Sequence, residues 1–191
     1  MFADLLRARL AGIVELSNGQ VEALEAHYQL LFRWNRTLNL TSITDMAEAI
    51  ERHYCESLFL GAHLPPVPLR IADLGSGGGF PGIPVAVLRP DCTVSLIESH
   101  QRKSVFLREA TRKLPAVRVL SVRAETVHEV FDHAISRAVS FRNLSPFLKR
   151  IALTADLLTG EEAPPEELGL VWQPGISLPW GKQRFLRIGQ A

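Results

Sequence analysis

The chain has 191 residues, enough for one domain with a sizeable core and a small helical extension. Hydrophobic residues make up 47% and charged residues 21%; no apolar run reaches the ~18 residues of a membrane span, so a globular protein is expected. The net charge of +1 gives no global sign of a polyanion partner, although 17 of the 21 Lys and Arg residues are Arg, the side chain that meets phosphate bidentately.

The N-terminus, Met-Phe-Ala-Asp-Leu-Leu-Arg-Ala-Arg, places an acid and two arginines where a signal peptide needs its apolar region, so a cytoplasmic location is expected. Residues 1–62 read as helical. Leu24, Tyr28, Leu31, Trp34 and Leu38 recur at spacings of three and four and give one apolar stripe. Ser17 and Gln20 form a capping-box pattern ahead of it. Asp45 and Glu48 mark another start, with Ala47, Ile50, Tyr54 and Leu58 as its apolar face. Pro65-Pro66-Val67-Pro68 breaks the pattern and is the candidate linker, which divides the chain into a helical cap at 1–64 and a second domain at 65–191.

Beyond the linker, short apolar runs alternate with helical ones. Strands are predicted at 69–74, 93–98, 117–122 and 133–136, and helices at 81–88, 101–114 and 144–153. Strands separated by helices imply an α/β fold with a parallel sheet and right-handed crossovers. Residues 168–172 and 184–188 suit a closing antiparallel pair, and the acid- and proline-rich 161–167 reads as an exposed loop. Cys55 and Cys92 belong to no paired spacing and are expected as free thiols. The six histidines show no metal-ligand spacing, so no metal is expected.

The segment that carries chemistry is residues 73–82, Asp-Leu-Gly-Ser-Gly-Gly-Gly-Phe-Pro-Gly, a glycine turn between a strand and a helix. Glycine permits positive φ and close backbone approach, and the N–H groups at the next helix start are electropositive. Gly77, Gly79 and Gly82 satisfy the dinucleotide spacing G-x-G-x-x-G, so spacing alone leaves NAD open. Asp73, two residues ahead of Gly75, gives Asp-x-Gly-x-Gly, which resembles the first motif of class I methyltransferases. Glu98 ends the second strand, where an acid accepts hydrogen bonds from the ribose hydroxyls of an adenosine cofactor. Ala124-Glu125 follows the third strand, where such folds hold the adenine edge.

Four segments together resemble one family, the bacterial small-subunit rRNA 7-methylguanosine methyltransferases, also called glucose-inhibited division protein B. Residues 34–42, Trp-Asn-Arg-Thr-Leu-Asn-Leu-Thr-Ser, are similar to its W-N-x-x-x-N-L-T segment. Residues 52–58, Arg-His-Tyr-Cys-Glu-Ser-Leu, resemble R-H-x-x-D-S-L. Residues 73–84 resemble its glycine segment, and residues 131–138, Phe-Asp-His-Ala-Ile-Ser-Arg-Ala, resemble F-D-x-x-x-S-R-A. The resemblance implies a monomer with a helical cap on a Rossmann-like sheet, S-adenosylmethionine as cofactor, and a guanosine N7 of 16S rRNA as acceptor. It implies cofactor contacts at Gly75, Phe80, Ala124, Glu125 and Arg137; Asp73, Gly77, Gly79 and Glu98 join them on the loop and fold arguments. The pattern departs at Glu56, where the family often has Asp, at Thr159, where it has Lys, and at residues 183–185.

The N7 of neutral guanine has a free lone pair and no proton to lose, so no general base is expected and no catalytic residue is nominated. Placement of the reacting atoms at about 3–3.5 Å is the requirement. Asn39, Thr41, His53, Ser57 and Arg137 are candidates for contacting the substrate, with capping and internal hydrogen bonding as the competing role for the four in the cap. Arg102, Lys103, Arg108, Arg112 and Lys113 gather on one helix and, with Arg33, Arg36 and Arg52, form a candidate RNA surface. The competing functions are a methyltransferase for another RNA, a protein or a small molecule, an NAD-dependent oxidoreductase, and a non-catalytic RNA-binding module.

Overall fold

The computed structural model describes residues 1–144 and 146–191. The N-terminal part holds α1 (Phe2–Leu10), α2 (Asn18–Asn35), α3 (Met46–Ala49) and α4 (Glu56–His63), with a π-helical turn at Ile50–Cys55 between the last two. The Ser17–Gln20 capping box forms at α2, Ser17 Oγ accepting from Gln20 N at 3.3 Å and Gln20 Oε1 accepting from Ser17 N at 2.9 Å. Asp45 caps α3 by accepting from Glu48 N at 2.8 Å.

The remainder alternates β1 (Arg70–Leu74), α5 (Gly82–Leu88), β2 (Thr93–Ile97), α6 (Gln101–Ala110), β3 (Val117–Leu120) and β4 (Phe131–Arg137). Two short helices follow, α7 (Phe141–Leu144) and α8 (Leu148–Ile151), then β5 (Ala152–Thr159), β6 (Val171–Trp172), β7 (Ile176–Ser177) and β8 (Phe185–Gln190). The sheet order is β3-β2-β1-β4-β5-β8-β6, with β7 also on β8. The first five strands pair parallel, and β8 runs antiparallel to β5. The order reverses between β1 and β4, and in open α/β sheets ligands bind outside the strand carboxyl ends at such a point.

The sheet separates two apolar layers because successive side chains point to opposite faces. Ile71, Val94, Leu96 and Ile135 meet a thick layer of α1, α2, α4, α5 and α6, so the helices of residues 1–64 share one core with the sheet. Ala72, Leu74, Ala134 and Ala155 meet a thinner layer that includes Leu144, Phe147, Leu148 and Ile151.

The helix expected over 144–153 is corrected. Among the described residues there, Leu144 ends α7, Leu148–Ile151 forms the separate α8, and Ala152 and Leu153 open β5. The run from Ala152 to Thr159 is held between β4 and β8 and alternates Thr154 and Asp156 with Ala155 and Leu157, so pairing on both edges overrides the local helical spacing. The helix expected over 101–114 stops at Ala110. The closing antiparallel pair is present as β6 on β8.

Candidate functional site

The glycine turn is shaped by backbone needs that the sequence satisfies one by one. Gly75 has φ +72°, and a Cβ there would meet Val139 Cγ2 at 2.8 Å, so only glycine fits between the turn and the segment after β4. Gly75 N and Ser76 N both donate to Ile97 O, at 2.9 and 3.2 Å, which ties the turn to the end of β2. Gly82 lies against Asp73, whose Oδ2 accepts from Gly82 N at 3.0 Å. A Cβ on Gly82 would sit 2.5 Å from that oxygen.

The α5 N-terminus therefore faces a carboxylate. A pyrophosphate would need this N–H, which Asp73 already takes, so the glycines at 77, 79 and 82 do not form a dinucleotide cradle. Asp73 is fully buried, its Oδ1 has no partner, and burial pushes its carboxyl up to about 7.

Glu98 turns back under the same loop. Its Oε2 accepts from Gly77 N at 2.9 Å and its Oε1 from His100 N at 2.8 Å. The residue is only 8% exposed, and a carboxylate with two bonds retains lone pairs for two more donors. Beside it opens a cavity of about 540 Å³, lined by Leu74, Gly75, Ile97, Glu98, Ala124 and Glu125, with Val139 and Arg142 closing the far side. Gly75, Glu98, Ala124 and Glu125 from the sequence reading thus face one space, at the carboxyl ends of β1, β2 and β3. The buried carboxylate with spare acceptors suits a diol, and the Cβ-less wall at Gly75 admits close approach; these residues fit an adenosine-containing group.

Phe80 and Arg137 lie elsewhere. Phe80 stacks on His53, centroids 4.5 Å apart and planes 19° apart, and takes Tyr54 edge-on at 5.1 Å. The Arg137 guanidinium carbon sits 5.3 Å from the Phe80 centroid, and its Nη1 donates to the Arg52 carbonyl. Burial among other cations brings the Arg137 side chain down to about 10.

Thr41 Oγ1 and His53 Nε2 are 2.7 Å apart, and Asn35 Oδ1 accepts from Leu40 N and Thr41 N at 2.8 and 3.0 Å. His53 Nδ1 has no partner, and burial together with Arg137 pushes its imidazole down to about 2, so the ring is neutral. Ser57 is fully buried and donates to the His53 carbonyl. Thr41, His53 and Ser57 therefore make internal bonds, whereas Asn39 is exposed in a basic cleft with Arg36, Arg102 and Lys103.

Two features escaped the sequence reading. His27 joins α2 to the turn, its Nε2 lying 3.0 Å from Gly78 O and its Nδ1 2.9 Å from Tyr54 Oη. Burial holds His27 down at about 4, so one ring nitrogen donates to the carbonyl and the other accepts from the hydroxyl. Glu56, fully buried, receives Arg184 Nε at 3.1 Å and Nη2 at 2.6 Å, with Arg52 Nε 3.4 Å away. The sequence marked Glu56 only as a family-segment position with Glu in place of the usual Asp, and its partner Arg184, 128 residues away, could not be read from it.

The family model of GidB, rRNA small subunit methyltransferase G, matches residues 20–155. The chain belongs to this family. A family relative from Chromobacterium violaceum, ribosomal RNA small subunit methyltransferase G, is 42% identical over 151 residues, covering 77% of this chain and 71% of that protein. One of the same name from Xylella fastidiosa is 44% identical over 135 residues, covering 69% of this chain and 63% of that protein.

Solved structures support the fold alone. A SAM-dependent methyltransferase from Aquifex aeolicus aligns at TM-score 0.57 and 16% identity, covering 74% of this chain and 92% of that one. A putative RNA methyltransferase from Pyrococcus horikoshii aligns at TM-score 0.55 and 15% identity, covering 86% and 96%.

All four segments that carried the family resemblance lie inside the matched span, and they converge in space. Asn35 orders Thr41, Thr41 meets His53, His53 stacks on Phe80, and Arg137 covers Phe80 and returns to Arg52.

Proposed function

We propose that the protein transfers a methyl group from S-adenosylmethionine to N7 of a guanosine in small-subunit rRNA, acting as a cytoplasmic monomer. The observation that carries this reading is the buried Glu98 carboxylate under the glycine turn, facing a cavity walled by Gly75 and Ala124-Glu125, in a chain of this family. Glu98 would accept the two ribose hydroxyls, Ala124-Glu125 would border the adenine, and Gly75 would let the methionine portion lie against the backbone. Asp73, Gly77 and Gly79 shape the turn. Phe80 and Arg137 position it from beneath, as does His53 with Thr41. Asn39 belongs to the basic cleft, where RNA backbone is the matching ligand.

S-adenosylmethionine supplies an electrophilic sulfonium methyl. The acceptor nitrogen needs no deprotonation, so the protein's work is orientation, exclusion of water, and stabilisation of the charge that moves onto the purine.

Titration calorimetry with S-adenosylmethionine tests the cofactor half. The wild type should bind, and Glu98→Ala should bind about 10- to 150-fold more weakly, the loss of ~1.5–3 kcal/mol expected for hydrogen bonds to a charged group. Mass mapping of small-subunit rRNA after incubation tests the other half. No cofactor binding by the wild type, or binding with no methylated guanosine, would overturn the proposal.

A further inference from the structure

A second cavity, of about 300 Å³, opens beyond the carboxyl ends of β4 and β5. Its lining includes Val139, Phe141, Arg142, Thr159, Glu162 and Arg184. Val139 and Arg142 also line the larger cavity beside Glu98, so the two spaces share a wall. The volume is at the lower end for a small-ligand site, suited to one planar base. Glu162 is the one acid among the described lining residues. It stands on the exposed acidic loop after β5, and no ion pair engages its carboxylate among the described residues. Arg184, across the cavity, is already committed to Glu56 through Nε and Nη2.

We infer that this second cavity receives the acceptor guanine and that Glu162 reads its Watson–Crick edge; the inference rests on the proposed methyl transfer. Guanine presents N1–H and the 2-amino group side by side, a donor pair that matches a carboxylate and that adenine, with its acceptor at N1, does not reproduce. N7 lies at the opposite end of the purine. A base held by that edge at the loop side points N7 inward, toward the wall shared with the cofactor cavity. Bases taken out of a stack are read in this way, by hydrogen bonds to the Watson–Crick edge and stacking on an aromatic side chain, here Phe141.

The charge balance follows the same direction. As the N7–carbon bond forms and the carbon–sulfur bond returns its electron pair to sulfur, the purine gains positive charge. Its N1–H and 2-amino protons become stronger donors, so Glu162 binds the transition state more tightly than the ground state. No proton leaves and no further reactant is needed.

The test uses the full-length protein and small-subunit rRNA fragments containing the mapped methylation site, synthesised with guanosine or with inosine there. Inosine keeps N7 and N1–H but lacks the 2-amino group. The wild type should methylate the guanosine fragment with a kcat/KM roughly 10- to 150-fold above the inosine fragment, the range for one charge-assisted hydrogen bond. Glu162→Ala should lower guanosine methylation and bring the two fragments within about threefold of each other, with S-adenosylmethionine affinity unchanged. Fluorescence anisotropy should show the same convergence in RNA affinity. Glu162→Gln, which keeps an acceptor but loses the charge, should fall between.

Undiminished discrimination in Glu162→Ala would overturn the assignment while leaving the methyltransferase reading intact. Tighter RNA binding by that variant would also overturn it, and would assign the cavity to a phosphate facing Arg142 and Arg184. A wild type that methylates neither fragment would remove both together.

Discussion

Glu56 offers the sharpest test of what holds the site in register. Its carboxylate is fully buried and takes both Nε and Nη2 of Arg184, a fork geometry that joins the N-terminal helices to β8's leading edge across 128 residues of chain. Arg52 Nε lies 3.4 Å away, on the preceding π-helical turn. Glu56→Gln keeps the shape and removes the charge, leaving Arg184 with a neutral amide in place of two charge-assisted bonds. Breaking a buried pair by removing one partner costs ~3–5 kcal/mol.

The Arg184 side chain is 19% exposed and that of Arg52 is 39% exposed, so water re-solvates part of what is lost, which places the expected cost near ~3 kcal/mol, the lower end of that range. For a chain of this size, that corresponds to a fall in Tm of roughly 6–12 °C. Urea unfolding followed by tryptophan fluorescence measures it, with the slope m as a check that the transition stays two-state. Glu56→Asp retains the charge on a shorter arm and should lose less. A Glu56→Gln variant within about 1 kcal/mol of wild type would refute the claim that this carboxylate is the structural hub.

Two further predictions concern pH. His53 is held neutral, with its value down at about 2 against an ordinary 6.5, so below pH 6.5 the unfolded chain binds a proton that the native protein refuses. Its contribution to stability is complete above pH 6.5 and is lost as pH falls toward 2. Between pH 6 and 5 the wild type should therefore lose about 1 kcal/mol more than His53→Gln, measured by urea unfolding at each pH; equal losses would show that the histidine is not excluded from protonation.

Asp73 has the opposite sign. Its carboxyl is raised from 3.8 to about 7, so the native protein binds the extra proton, and its favourable share is complete below pH 3.8 and lost as pH rises to about 7. The stability of Asp73→Asn relative to wild type should grow across that window and level off above it, and a difference independent of pH would show that burial does not hold Asp73 neutral.

The parallel sheet was legible because its strands are short apolar runs bounded by glycine and proline, and because burial on both faces asks for little else. The strand from Ala152 to Thr159 was not. Its first residues complete a helical spacing with Leu144 and Leu148, and only its position between β4 and β8 decides the outcome. Glu98 was legible as a strand-end acid, since the carboxyl ends of strands are where such folds place ligands. The same rule pointed to the residues just after β4 and β5, where the second cavity lies. Glu162 went unnoticed there because its surroundings read simply as solvated loop.

The signature residues outside the turn show why a motif can be recognised and its role still be missed. His53, Thr41, Phe80 and Arg137 are polar or aromatic, and each invites a contact with ligand. In the folded chain they are spent on one another. His53 stacks on Phe80 and bonds Thr41, while Arg137 covers Phe80 and reaches the Arg52 carbonyl. His27 adds a second tie, from α2 to Gly78. These contacts grip the glycine turn from the thick helical layer, while its other side faces the cavity beside Glu98. A turn with three positive-φ glycines has little stiffness of its own. A methyl transfer that relies on placement instead of a general base demands a rigid turn. The residues that distinguish the chain thus act mainly by fixing where the backbone stands, whereas Gly75, Glu98 and Ala124-Glu125 line the cavity on the turn's other side.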